Sequence, residues 1–180
     1  MSSTLGHHSP EGSRMERDSS QDRAGGDFVL PCPRDGGIAL CAGCSAQGHC
    51  RLGLQAERLD CDGTVWTDLV CAAEHAGGPG VAHGGWTAGV LDELVGHVPM
   101  LHGTLAVTGT LAVRFLRPVP VGRQLVGSAG IVTKTDGRWH VRARLCLAAG
   151  GAELAVADAV MVERDPSHYS RFRAWLDTQE

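Results

Sequence analysis

The sequence predicts an α+β fold in which one long helix lies on an antiparallel sheet. Three observations carry this. A single run, WTAGVLDELVGHVPML (86–101), is apolar on nearly every side, as a buried helix must be. Two β-like runs precede it. Four more follow it with no helical pattern between them. Strands grouped in this way, rather than alternating with helices, point to an antiparallel sheet.

In chain order, residues 1–27 are rich in Ser, Gly, Arg and Asp and nearly free of large apolar side chains, so they read as a disordered tail. Residues 28–51 form a Cys-, Gly- and Pro-rich lead-in, irregular until about Gly48. The main domain spans 52–163. It opens with strands LGLQAERLD (52–60) and TVWTDLVC (64–71), joined by a tight Asp62-Gly63 turn. The glycine-rich connection EHAGGPGVAHGG leads into the helix. The later strands are TLAVTGTLAVRF (104–115), RQLVGSAGIVTK (123–134), WHVRARLCLA (139–148) and ELAVADAVMVE (153–163), punctuated by Pro118, Pro120, Asp136-Gly137 and Gly150-Gly151. In the third of these, Val141, Ala143, Leu145 and Leu147 alternate with His140, Arg142, Arg144 and Cys146, giving one buried and one wet face. Residues 164–180 form a helical extension, with Asp165 as N-cap, Pro166 at the first position, and Tyr169, Phe172 and Leu176 as a short apolar stripe.

The chain has 180 residues, 43 % hydrophobic and 20 % charged, which suits one globular domain with a real core. Its net charge of −4 argues against nucleic acid or an anionic membrane as the main partner. All its basic residues but Lys134 are arginine, which fits a biased base composition as well as any function. No apolar run approaches the roughly 18–20 residues of a membrane span, and the N-terminus lacks a signal-peptide pattern. The seven cysteines are an odd number in a chain too long to need a disulfide scaffold, so a cytoplasmic protein with reduced thiols is expected.

Chemistry is expected where His83-Gly84-Gly85 opens the helix. Backbone N–H groups at a helix start have no intrahelical partner and face the positive end of the dipole, which suits a phosphate, a carboxylate or a developing oxyanion. Asp92 and Glu93 lie mid-helix in a segment that looks too apolar to be a solvated face. One of them facing a cleft while the other makes an ordinary ion pair would explain them equally well. Gly84 and Asp92 are eight residues apart, so one helix separates them by about 12 Å at 1.5 Å per residue. If the two serve one carbonyl, a second antiparallel copy has to supply one of them.

EHAGGPGVAHGGWTAGVLDELVG and TLAVTGTLAVRFLRPVPVG resemble the hotdog-fold acyl-CoA thioesterases of the PaaI-like and THEM-type group. The features that match are PG-x-x-HGG, an Asp nine residues after that His, and a strand ending RF-x-RPV-x-x-G, together with a CAGCSAQGHCRLGL lead-in. The resemblance covers about residues 40–163. It implies hydrolysis of an acyl-CoA or acyl-carrier-protein thioester, without cofactor or metal, by a dimer that can pair again. It implies Asp92 as general base or nucleophile and the Gly84 amide as oxyanion donor, with His83 shaping that turn and Thr108 orienting water. Gly85 and Trp86 continue the turn, where Trp86 could stack on an aromatic acyl group. His75 stands on the approach to the site. Gly77 occupies a place where relatives carry a polar Asn or Gln, so one hydrogen bond to the carbonyl is missing. Arg117 is one of several basic strand residues, with Arg114, Arg123, Lys134, Arg138, Arg142 and Arg144, from which partners for the coenzyme phosphates would come. Glu93 reads as a neighbour and not the base, because adjacent helix positions point about 100° apart.

Two other activities compete. A hotdog hydratase or dehydratase would want a His beside the carboxylate, and an inactive acyl-CoA-binding module would not need Asp92 and Thr108 together. Cys41, Cys44, Cys50 and Cys61 offer one CxxC pair and stragglers, so free thiols are expected ahead of zinc. His97, His102 and His140 read as surface or helix-end residues.

Overall fold

The computed structural model of the chain describes residues 37–179. The tail 1–27 and the first part of the lead-in lie outside the described residues. The rest follows the expected order, with α1 (Ala42–Ser45), β1 (Leu54–Leu59), β2 (Val65–Val70), β3 (Ala76–Gly78), β4 (Val81–Ala82), α2 (Gly84–Leu101), β5 (Ala106–Phe115), β6 (Gln124–Thr135), β7 (Arg138–Leu147), β8 (Glu153–Glu163) and α3 (His168–Asp177). Six strands form one antiparallel sheet in the order β1-β2-β6-β7-β8-β5. The long helix α2 packs against β2, β5, β6, β7 and β8.

The turns explain the register. Asp136 and Gly137 both adopt positive φ, 51° and 69°, and close a two-residue hairpin between β6 and β7. That conformation matches the twist of the flanking strands. Between β1 and β2 the loop is longer than the expected Asp-Gly turn. Asp60 donates its N–H to Thr64 C=O at 2.9 Å and accepts from Gly63 N–H at 2.9 Å. Gly63 takes φ 81°, and the Asp62 carboxylate accepts the Thr64 N–H at 2.9 Å.

Alternation in β7 is as the sequence predicts. Trp139, Val141, Ala143 and Leu145 are buried while His140, Arg142 and Arg144 are exposed. The buried face meets Val90, Leu91, Leu94 and Val98 of α2 in one core with Leu69, Leu125 and Met161. Gly127 makes room for this packing, since a Cβ there would lie 2.7 Å from a Leu94 methyl.

Further expectations need correction. The lead-in is not irregular throughout: it contains α1, and Ala39 and Cys44 are buried. The connection before α2 pairs as the small hairpin of β3 and β4. Helix α2 is not buried on every side, because Gly84, Gly85 and Asp92 remain exposed. At α3 the helix begins at His168, although Asp165 still serves the helix start by accepting from Ser167 N–H at 3.0 Å.

His97 departs most from its expected place. It is a buried residue, held between Glu57 of β1 and Glu93 one turn earlier on α2. Its Nε2 lies 3.2 Å from Glu93, its Nδ1 meets Glu57 at very short range, and Glu57 also accepts the Ala39 N–H at 3.1 Å. The cluster thus ties lead-in, edge strand and helix together. Burial would lower the His97 pKa, but its hydrogen bonds to Glu57 and Glu93 push it up to about 9. The bond to His97 outweighs burial at Glu93 and holds that carboxyl below its usual range.

The sign of the pH dependence follows. A raised His97 pKa gives stability that is complete below its ordinary 6.5 and lost as pH rises through about 9. A lowered Glu93 pKa gives stability present above its ordinary 4.5 and lost below it. Urea unfolding across pH is expected to show a plateau between these values and a decline on the alkaline side. His97→Leu should flatten the alkaline limb and cost about 3 kcal/mol at neutral pH, since it strands two carboxylates. An unchanged alkaline limb in that variant would contradict the assignment.

Candidate active site

Helix α2 starts where it does because His83 is its N-cap. The His83 backbone is extended, with ψ 139°, and its Nδ1 accepts the Gly85 N–H at 2.9 Å. One orphan donor of the first turn is thereby used. The Gly84 N–H, at the first helical position, has no acceptor within the helix. It opens beside a cavity of about 280 Å³ lined by Ala82, Gly84, Thr87, Phe115, Arg117 and Val119, among others. A Cβ on Gly84 would sit 3.7 Å from the Phe115 ring, which is ordinary contact.

At Gly77 the space behind the turn is closed. A Cβ there would meet the His83 Cα at 2.7 Å, so no side chain fits behind the turn. His75 braces the same turn: its C=O accepts the His83 N–H at 2.8 Å, and its Nε2 approaches Arg51 C=O at 3.0 Å. Trp86 is buried in the core, stacked on the His75 ring at 6.2 Å, and does not line the cavity. The open acyl-stacking position expected for it is therefore not found.

Two turns along α2, the Asp92 carboxylate accepts the Thr108 hydroxyl at 2.8 Å. Both residues are exposed. Thr108 adjoins a break in the β5–β8 register, between Thr108 and Thr110. A bulge of this kind re-aims a neighbouring side chain. It is available here because Gly109 lacks the Cβ that would strike Val162 at 2.8 Å. Glu93 turns the other way, to His97, and so behaves as the neighbour the sequence suggests. One chain thus brings Asp92 to Thr108, and His83 to Gly84 and Gly85, as two separate groups.

Among the basic strand residues, Lys134 pairs with Glu163 at 3.1 Å and lies over the Trp139 ring, and Arg142 pairs with Asp158 at 2.7 Å. Arg144 pairs with Glu153 at 3.4 Å. Arg117 donates to the Glu153 C=O at 2.6 Å on the cavity rim. No ion pair engages Arg114, Arg123 or Arg138 among the described residues. No three His, Cys, Asp or Glu side chains among them converge as metal ligands would. No helix among them is long and apolar enough to cross a membrane.

Residues 79–153, which carry α2 and three of the six strands of the sheet, match the family model of the Thioesterase superfamily. An antiparallel sheet with one long helix on it is the hotdog fold. Three solved structures illustrate the likeness. The E. coli PaaI protein of the phenylacetic acid degradation operon is 18 % identical, with 67 % of this chain and 87 % of that one covered at a TM-score of 0.58. A thioesterase superfamily protein is 22 % identical, with 59 % of this chain covered and a TM-score of 0.56; the chain spans 55 % of that protein's length. A hypothetical thioesterase from Streptococcus pneumoniae, solved with coenzyme A, is 18 % identical over 61 % of this chain and 86 % of that one, at 0.56. It was also solved with an aspartate and a threonine replaced by alanine, sixteen positions apart in that chain. No curated protein matches the chain.

The sequence left one buried charged cluster unread, Glu57–His97–Glu93. The pairing of Glu93 with His97 four positions on was its visible signal. Glu57 comes from a distant strand and gave none.

Proposed function

We propose that the chain hydrolyses acyl-CoA thioesters in a site shared between two copies. The observation that carries this reading is the Asp92–Thr108 pair, set one helix segment away from the Gly84 amide at the cavity. A carboxylate and a hydroxyl can hold and deprotonate a water, and a helix N-terminus can stabilise the oxyanion that results. Asp92 takes a proton from water, and the hydroxide attacks the thioester carbonyl. The negative oxygen is held by the Gly84 N–H. The intermediate then collapses to the acid and expels the thiolate, which the Asp92 proton can neutralise. A thiolate leaves readily, so no further acid is required.

Two supports come from likeness. The pneumococcal thioesterase is known with coenzyme A, and its altered aspartate and threonine have the same spacing as Asp92 and Thr108. The second copy is supported by β5, a ten-residue edge strand whose outer side pairs with no strand among the described residues. A long free edge calls for pairing or covering. Antiparallel pairing of two β5 strands near Leu111 and Ala112 would bring the Phe115–Gly84 end of one to the Thr108–Asp92 end of the other.

The test is a panel of aliphatic and aromatic acyl-CoAs, with release of free thiol followed in time. Turnover of at least one ester well above background is expected. Tight binding of coenzyme A esters without release would favour a binding module. Water addition to an enoyl-CoA without cleavage would favour a hydratase.

A further inference from the structure

Two cysteines of the lead-in, Cys41 and Cys44, stand at one helical turn and have no part in the proposed hydrolysis. Cys41 is the N-cap of α1, and its C=O accepts the N–H groups of both Cys44 and Ser45 at 3.0 Å. This turn puts the two cysteines three residues apart on one helical face, where Cβ atoms are about 5–6 Å apart. A disulfide needs Cβ atoms about 3.5–4.5 Å apart, so closing the pair draws the two side chains together by about 1–2 Å across that single turn. Arg51 completes the group. Its backbone N–H donates to Cys44 Sγ at 3.4 Å, and its guanidinium stands beside the two cysteines. That guanidinium lies over the turn because residue 43 is glycine: a Cβ there would come within 2.8 Å of it.

The other partly or fully buried thiols differ. Burial pushes Cys50, Cys71 and Cys146 above the ordinary thiol range. At Cys44 burial acts in the same direction, but the bonds from Arg51 and Cys41 outweigh it and the thiol is lowered. Reactive cysteines sit in such electropositive, partly accessible surroundings. Accessibility is supplied by Cys41, which is half-buried, while Cys44 is buried beneath it.

We propose that Cys41 and Cys44 form a redox-reactive dithiol that a low-molecular-weight disulfide oxidises to an intramolecular disulfide. The accessible Cys41, as thiolate, attacks one sulfur of the small disulfide and expels the first small thiolate. The Cys44 thiolate then attacks Cys41 Sγ in the mixed disulfide and expels the second. Two protein thiols are oxidised, one small disulfide is reduced to two thiols, and the two protons pass to the departing thiolates. Arg51 acts in the second step, by favouring the thiolate of Cys44. The inference stands apart from the hydrolysis proposed above, and its test does not require that activity.

The reduced full-length chain is incubated with excess glutathione disulfide, quenched in acid, alkylated, digested and weighed by mass spectrometry. In the peptide bearing them, Cys41 and Cys44 are expected to lose two hydrogens together and take no alkyl label, while Cys50 on the same peptide takes one. Cys44→Ser should stop at a mixed disulfide on Cys41, and Cys41→Ser should form no internal disulfide. Arg51→Met should slow ring closure several-fold, and Cys50→Ser should leave it unchanged. The proposal is overturned if both thiols still take label after oxidation. It is equally overturned if the wild-type chain stops at the mixed disulfide, or if either cysteine pairs with another one. The wild-type measurement decides the matter even if a variant fails to fold.

Discussion

Asp92→Asn is expected to abolish acyl-CoA hydrolysis while leaving the protein folded and able to bind coenzyme A esters. The substitution is nearly isosteric, and an Asn oxygen can still accept the Thr108 hydroxyl that now meets Asp92 at 2.8 Å. Asp92 is exposed, so no buried packing is disturbed. What is lost is the ability to take a proton from water, or to act as a nucleophile. A positioned general base is worth about 10²–10⁴ in rate, and a loss of that order in kcat is expected with little change in binding. Glu93→Gln is the control on the next residue. Glu93 bonds to His97 and not to Thr108, so its loss should lower stability and spare much of the turnover. Hydrolysis within tenfold of wild type in Asp92→Asn would remove Asp92 from the chemistry.

The features that could be read from residues alone were those set by local period and local turns. The alternation of β7, the Asp136-Gly137 hairpin and the long apolar helix all depend on neighbours a few positions apart. Misreadings arose where a distant element decides. His97 looked like a surface residue because its partner Glu57 lies forty positions away on β1. How closely His83 approaches Gly77 was likewise invisible, because nothing in the residues around Gly77 reveals that contact. Asp92 looked buried because the helix is apolar on most sides. Its own face is open because Gly85 and Asp92 project nothing large or apolar there. The one long-range property that could be reached from sequence was the separation of Gly84 and Asp92, because helical rise is constant.

That separation makes the second prediction, in which two inactive variants restore activity when mixed. Gly84→Pro removes the amide donor and little else. Proline suits the first position of a helix, and His83 before it already has the extended backbone that a following proline requires, with φ −64° and ψ 139°. The room is there, since the nearest group to a Cβ is the Phe115 ring at 3.7 Å. Alone, Gly84→Pro should lose about 10²–10³ in kcat, the cost of removing one oxyanion donor. Asp92→Asn alone is inactive for the reason given above. If each site takes Gly84 from one copy and Asp92 from the other, a mixed dimer has one site with both groups intact and one with neither. Random exchange of equal amounts makes half the dimers mixed, with half of their sites working, so about a quarter of wild-type activity should return. Subunits are to be exchanged by mild denaturation and refolding, with thiol release measured before and after. Absence of recovery in a preparation shown by mass to contain mixed dimers would place both groups in one chain. It would also conflict with the roughly 12 Å that eight helical residues put between them, and the role of Gly84 would then have to be given up.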